Sequence, residues 1–158
     1  MDFEMSNRQK QIRLAAREFA EGELAAIGQE CEIKESFPRD LIKKGSQLGF
    51  VGAFIKKENG GLGLGFLEHA IILEEFWRVD PGLGQVFSSL TFGAEELQFF
   101  GSEEQKKKYL PSLVKAERIM GFSITEPEAG SDTASAVTSA VTDGGEYVVN
   151  GNKVMITN

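Results

Sequence analysis

Apolar positions recur at helical spacing through most of this chain, then switch to period two. Ser6 and Gln9 form a Ser-x-x-Gln capping box, and Ile12, Ala16 and Phe19 follow on one face of a helix ending near Gly22. A second helical segment, Glu23 to Glu32, carries Leu24 and Ile27. Pro38 suits a first helical turn, with Leu41, Ile42, Gly45 and Leu48 behind it. Phe66 to Arg78 predicts a helix with Ala70, Leu73 and Trp77 on one side. Leu83, Phe87, Leu90, Ala94 and Leu97 predict another, amphipathic one. Ser102 and Gln105 repeat the capping box, and Pro111 is expected to end or restart the helix behind them.

Near residue 119 the character changes, with threonine, serine, valine and glycine taking over. Gly121–Thr125, Ala136–Thr142, Glu146–Asn150 and Lys153–Thr157 read as strands. Asp143-Gly144-Gly145 is a hairpin turn and Asn150-Gly151 a second turn signal. The expected fold class is α+β: an all-helical N-terminal domain, residues 1–118, then a truncated antiparallel β domain, residues 119–158.

Composition narrows the functions. The 158 residues hold 17 Lys and Arg against 24 Asp and Glu, a net charge of −7, which argues against a nucleic-acid partner. One cysteine, Cys31, cannot close an internal disulfide, and one histidine, His69, cannot build a two-histidine zinc site, so no metal is expected. No apolar run approaches the roughly 18 residues of a membrane span, and the first residues lack the pattern of a signal or transit peptide. The expected location is the bacterial cytoplasm, or the mitochondrial matrix after maturation.

Most chemistry-bearing residues have a plain packing explanation. Asn59-Gly60-Gly61-Leu62-Gly63-Leu64-Gly65 precedes a helix, but the Lys-Ser/Thr pair of a phosphate loop is missing, so it reads as a flexible connection. His69 lies in a helix with no oriented partner. Trp77 and Phe87, Phe92, Phe99 and Phe100 sit at core spacing, and Lys106-Lys107-Lys108 after Glu103 and Glu104 reads as a solvated face. The run Gly121-Phe122-Ser123-Ile124-Thr125-Glu126-Pro127-Glu128-Ala129-Gly130-Ser131-Asp132 reads by itself as a strand and a turn.

That run, however, closely resembles the signature of the acyl-CoA dehydrogenase family, aromatic–x–aliphatic–Thr-Glu–x–x–Ala-Gly-Ser-Asp. Three other segments match in order: the glycine stretch from Asn59, Gly101-Ser102-Glu103-Glu104-Gln105-Lys106-Lys107-Lys108-Tyr109-Leu110-Pro111, and Tyr147 through Asn158. The resemblance implies an FAD-dependent flavoprotein, an oxidoreductase of fatty acid metabolism. It would convert an acyl-CoA to a trans-2-enoyl-CoA and pass electrons to an electron-transfer flavoprotein, as a dimer or tetramer when complete. Carried over, Phe122, Ser123, Ile124, Thr125, Gly130, Ser131, Met155, Ile156 and Thr157 would touch the flavin. Ser131 would also meet the CoA portion, and Thr157 would face flavin N5. Gln85, Ser88 and Phe92, on a helix from Leu83 to Phe100 with Ser89, would line the acyl pocket. Phe122 stands where the family often has tyrosine, and Met155 where it has an aromatic ring. Glu74, Glu75, Glu126 and Glu128 match no base motif; the resemblance puts the catalytic base in a C-terminal domain, so this chain alone is expected to be inactive. The other reading is a non-catalytic helical subunit or interaction module of the same family.

Overall fold

The computed structural model describes residues 4–158. The chain divides after Met120 into two compact units.

In the first unit, helix α1 (Asn7–Phe19) begins where expected. The Ser6 hydroxyl accepts the Gln9 N–H at 3.2 Å, and the Gln9 side chain accepts the Ser6 N–H at 2.9 Å. The helix does not end near Gly22. Ala20–Leu24 form a wide turn in which the Ala25 N–H bonds the Ala20 carbonyl, and α2 (Ala25–Lys34) continues directly. Burial of Ala16, Ala20 and Leu24 on one side outweighs the helix-breaking tendency of a single glycine.

Helix α3 (Arg39–Gln47) follows Pro38 and buries Leu41, Ile42 and Gly45, while Leu48 caps it and is exposed. Helix α4 (Phe66–Val79) forms over the expected span, but it turns a different face inward. Ile71, Ile72, Glu75 and Phe76 are buried, Leu73 is half-buried, and Ala70 and Trp77 are exposed. The helix expected from Leu83 to Phe100 is two helices, α5 (Pro81–Ser89) and α6 (Ala94–Phe100). Gly93 at φ 88° breaks the pattern, and the Leu90 carbonyl is taken by the Met120 N–H at 3.1 Å. Helix α7 (Glu103–Val114) opens with the second capping box and runs through Pro111. Proline removes one helical bond there, but Leu110, Leu113 and Val114 are buried around it and hold the last turn.

The main core gathers Phe19, Phe50, Phe76 and Phe87, with ring centroids 4.9–6.0 Å apart in tilted or edge-on pairs. Such pairs add roughly 0.5–1.5 kcal/mol each beyond the area they bury. A smaller cluster joins Phe54, Ile55 and Ala94 to the buried face of α7. Phe99 and Phe100, expected in a core, are exposed at 59% and 86%: they close a short helix that turns Ala94 and Gln98 inward.

The second unit holds one antiparallel hairpin. Strand β1 (Ser139–Asp143) pairs with β2 (Glu146–Asn150), from Ser139 opposite Asn150 to Asp143 opposite Glu146. The connecting Gly144 and Gly145 both take positive φ, 55° and 92°, which two-residue hairpin turns require. Both faces of the hairpin are exposed. Two expected strands do not form: among the described residues, Gly121–Thr125 and Lys153–Thr157 are joined by the ladder-type bond from Val154 N–H to the Thr125 carbonyl at 3.0 Å, without regular strand pairing. Met155, at φ 57°, turns the chain out of register before a second can follow. Asn150-Gly151 is likewise not a hairpin turn; β2 simply ends there.

Candidate functional site

Residues before Met120 that looked chemical resolve into packing. The glycine stretch spends its amides internally. Gly60 N–H bonds Lys57, Gly61 bonds Lys56, Gly63 bonds Ile55 and Leu64 bonds Ala53, each through a carbonyl at 2.8–3.2 Å. A β-carbon at Gly61 would collide with the Ile55 carbonyl. The stretch is therefore a tightly bonded corner rather than a flexible connection, and no phosphate cradle remains in it.

His69 packs its ring edge-on to Phe54 at 5.0 Å, with Nδ1 buried and unpartnered. Burial holds its pKa down to about 4, so it is a neutral packing residue near pH 7. Lys106 folds against the protein and pairs with Glu103 at 2.9 Å, so this lysine of the run is not freely solvated.

Of the acyl-pocket candidates, Gln85 and Ser88 lie on α5 and Phe92 lies in the turn after it; all three are half-buried. The Ser88 hydroxyl donates to the Gly84 carbonyl at 2.8 Å and accepts the Trp77 indole N–H at 2.9 Å. Ser89 is buried and donates to the Val86 carbonyl. Because the helix breaks after Ser89, Phe92 does not continue the face of α5 as a single helix would place it.

The flavin candidates all lie in the second unit, and the structure brings two of their segments side by side. Phe122–Thr125 runs antiparallel to the stretch from Lys153. Thr125 is bonded to Val154, and a β-carbon built on Gly121 would lie 3.5 Å from the Thr157 carbonyl. Among the described residues, the N–H groups of Phe122, Ser123, Ile124 and Thr125 have no protein acceptor. Phe122, Ile124 and Met155 expose large apolar side chains beside them, Met155 at 92%. Thr125 and Ile156 are half-buried, while Ser123, Gly130, Ser131 and Thr157 are exposed. Unspent main-chain donors flanked by apolar side chains suit a flat, hydrogen-bonding ring with an electron-rich edge.

Glu126 organises this unit. It is 4% exposed, and its carboxylate accepts Val137 N–H at 2.7 Å, Thr138 N–H at 3.0 Å and Lys153 Nζ at 2.8 Å. Lys153 also donates to the Ile124 carbonyl at 2.9 Å. The Lys153 hydrogen bond is the main force holding the Glu126 pKa down to about 2. Nothing in the hydrophobic pattern marks Lys153; the available signal was a lone cation in a neutral segment, opposite a signature that carries an acid.

The other buried carboxylate is Glu75 on α4. It accepts Arg13 Nε at 2.7 Å, Arg17 Nε and Nη2 at 3.0 and 2.9 Å, and Arg78 Nε at 2.9 Å. These bonds, led by Arg17, outweigh its burial and hold its pKa down to about 2. Among the described residues no cluster of His, Cys, Asp and Glu could hold a metal, and no helix is long and apolar enough to cross a membrane.

A fold of helices followed by an antiparallel hairpin, with the signature and its partner segment set against each other, defines a class. The model of the acyl-CoA dehydrogenase N-terminal domain matches residues 6–117. The chain belongs to the acyl-CoA dehydrogenase family. It is 41% identical, over its whole length, to the short-chain-specific acyl-CoA dehydrogenase of Clostridium acetobutylicum, of which it covers 42%. Among solved structures it matches 98% of its length to the acyl-CoA dehydrogenase of Bacillus anthracis complexed with FAD, at 35% identity and a TM-score of 0.89, covering 27% of that chain. It also matches, over its full length, a chain in the structure of the electron transferring flavoprotein of Acidaminococcus fermentans, at 38% identity and a TM-score of 0.91, covering 42% of that chain. The chain thus spans less than half the length of these proteins.

Proposed function

We propose that this chain is the helical domain, residues 1–118, and the opening of the β domain, residues 119–158, of an FAD-dependent acyl-CoA dehydrogenase. The reaction converts an acyl-CoA thioester to its trans-2-enoyl-CoA, and electrons pass on to an electron-transfer flavoprotein. One observation carries the reading. The Phe122–Thr125 segment presents main-chain N–H groups without a protein acceptor among the described residues, beside an antiparallel segment and exposed Phe122, Ile124 and Met155. FAD, when bound, supplies the acceptor for the hydride that leaves the β carbon of the acyl chain.

The chain's own residues bind and orient. With FAD bound, the amides of Phe122–Thr125 and the hydroxyl of Thr125 would donate along the pyrimidine edge of the ring, stabilising the charge that its reduction places there. Thr157 would donate toward N5. Met155 and Ile156 would cover the ring and exclude water, the methionine through a flexible, polarizable side chain. Gly130 would lie against the flavin, and Ser131 would meet the CoA portion. Gln85, Ser88 and Phe92 border the acyl chain.

None of Glu74, Glu75, Glu126 and Glu128 is proposed to take the α proton. Glu75 is locked by three arginines, and Glu126 by Lys153 and two amides. Carboxylates held ionised down to about pH 2 are weak bases. Glu74 and Glu128 are exposed to solvent. The resemblance to the family assigns the base to a segment outside residues 1–158.

The test is anaerobic addition of butyryl-CoA and octanoyl-CoA to the complete protein, following flavin bleaching, in parallel with the 158-residue chain. Bleaching by an acyl-CoA in the complete protein and none with the chain alone is expected. A complete protein that purifies without flavin, and takes none up, would refute the reading.

A further inference from the structure

The second unit buries one carboxylate, Glu126, although nearly every neighbour in sequence is exposed. A charge is withdrawn from water at a cost, and it stays there when its partners are fixed around it. Here those partners tie together three separated stretches. Val137 and Thr138 lead into β1. The Glu126 main chain closes a tight turn with Ala129, through bonds of 3.0 and 3.2 Å in the two directions. Lys153 belongs to the segment that continues to Thr157.

The lysine is held at two points. Its ammonium bonds Glu126 at 2.8 Å and the Ile124 carbonyl at 2.9 Å, while its neighbour Val154 bonds Thr125. Among the described residues, these bonds join Phe122–Glu126 to the Lys153–Thr157 segment. The ladder that would otherwise fix their register is absent, because Met155 turns away after a single bond. An ion pair does the work that strand pairing does elsewhere.

We infer that Glu126 and Lys153 are a positioning pair that sets the register of Phe122–Thr125 against Met155–Thr157, and with it the placement of the donors that meet the flavin. Neither side chain touches the ring; both act through the segments they clamp. The inference rests on the proposed function, since it presumes that these segments hold FAD. Lysine-to-methionine keeps the aliphatic stem and removes both bonds of the ammonium, while Glu126 keeps its two amide donors. Lysine-to-arginine keeps the charge and can restore both contacts.

The experiment uses the complete protein, stripped of flavin and titrated with FAD, for wild type, Lys153→Met and Lys153→Arg. Visible circular dichroism of the bound flavin and thermal melting of the flavin-free protein are recorded alongside. Misplacing the donors forfeits one or two hydrogen bonds to the ring, so Lys153→Met is expected to weaken FAD binding on the order of 10- to 100-fold. The flavin signal changes, the flavin-free melt falls modestly because buried Glu126 loses one partner while keeping its two amide donors, and Lys153→Arg recovers most of the affinity and of the melt. Wild-type affinity and an unchanged signal in Lys153→Met overturn the inference while leaving the proposed function standing. A loss of affinity matched by collapse of the flavin-free melt, unrescued by arginine, makes the pair a structural brace and also overturns it. No FAD binding by wild type removes both readings.

Discussion

Replacing Glu75 with glutamine keeps the shape of the side chain and removes the charge that three arginines share. In the native protein the carboxylate is almost fully buried, and four charge-assisted bonds of 2.7–3.0 Å converge on it. The amide offers one acceptor oxygen and turns its own donor toward guanidinium donors, so Arg13, Arg17 and Arg78 are left facing one another. The pKa of Glu75 lies at about 2 against an ordinary 4.5. At about 1.4 kcal/mol per unit, ionised Glu75 contributes roughly 3 kcal/mol at neutral pH. Removing one partner of a buried ion pair costs about 3–5 kcal/mol, and the half-exposed arginines place this case at the lower end. The sign follows from the depressed pKa: the contribution is complete above pH 4.5 and is lost as pH falls toward 2. The assay is urea unfolding followed by fluorescence of Trp77, which lies two residues away on the same helix. Glu75→Gln is expected to unfold about 3 kcal/mol more easily at pH 7, with a gap that shrinks to about half or less at pH 3. Equal stability at pH 7, or a gap of the same size at both values, would refute the reasoning.

Three further outcomes follow from the geometry. A β-carbon on Gly45 would sit 2.5 Å from the Phe87 ring inside the core, so Gly45→Ala is expected to cost about 1–3 kcal/mol in urea unfolding. His69 is expected to titrate near pH 4 by proton NMR, because burial disfavours its charged form; folding stability then falls as pH drops from 6.5 toward 4, where the unfolded chain binds the extra proton. Thr157→Val is expected to slow flavin reduction on the order of 10- to 100-fold, the equivalent of one charge-assisted bond of roughly 1.5–3 kcal/mol; stopped-flow bleaching beside a thermal melt separates this from a loss of folding.

Sequence patterns located the features governed by near neighbours. The boxes at Ser6–Gln9 and Ser102–Gln105, the Gly144-Gly145 turn and strand β2 are each set by residues a few positions apart, and each forms as its spacing implies. The features decided by distant packing did not show. Continuation through Gly22, survival of α7 past Pro111 and the inward face of α4 depend on which side chains the rest of the core accepts. The break between α5 and α6 depends partly on Met120, whose N–H takes the Leu90 carbonyl. At the candidate site, the signature run and Lys153–Thr157 read by pattern only as strands and a turn; their candidate role at a flavin was legible only through resemblance to the family. The Glu126–Lys153 clamp, 27 positions apart, has no local periodicity that could reveal it.

The placement of Thr125 and Thr157 at a flavin edge is the claim on which the account depends most. A crystal structure of the complete protein loaded with FAD tests it directly. The account predicts the isoalloxazine ring lying along Phe122–Thr125, with the Thr125 amide or hydroxyl and the Thr157 side chain or amide within about 3.2 Å of its polar edge atoms. A ring bound elsewhere, with both threonines facing solvent, would contradict it.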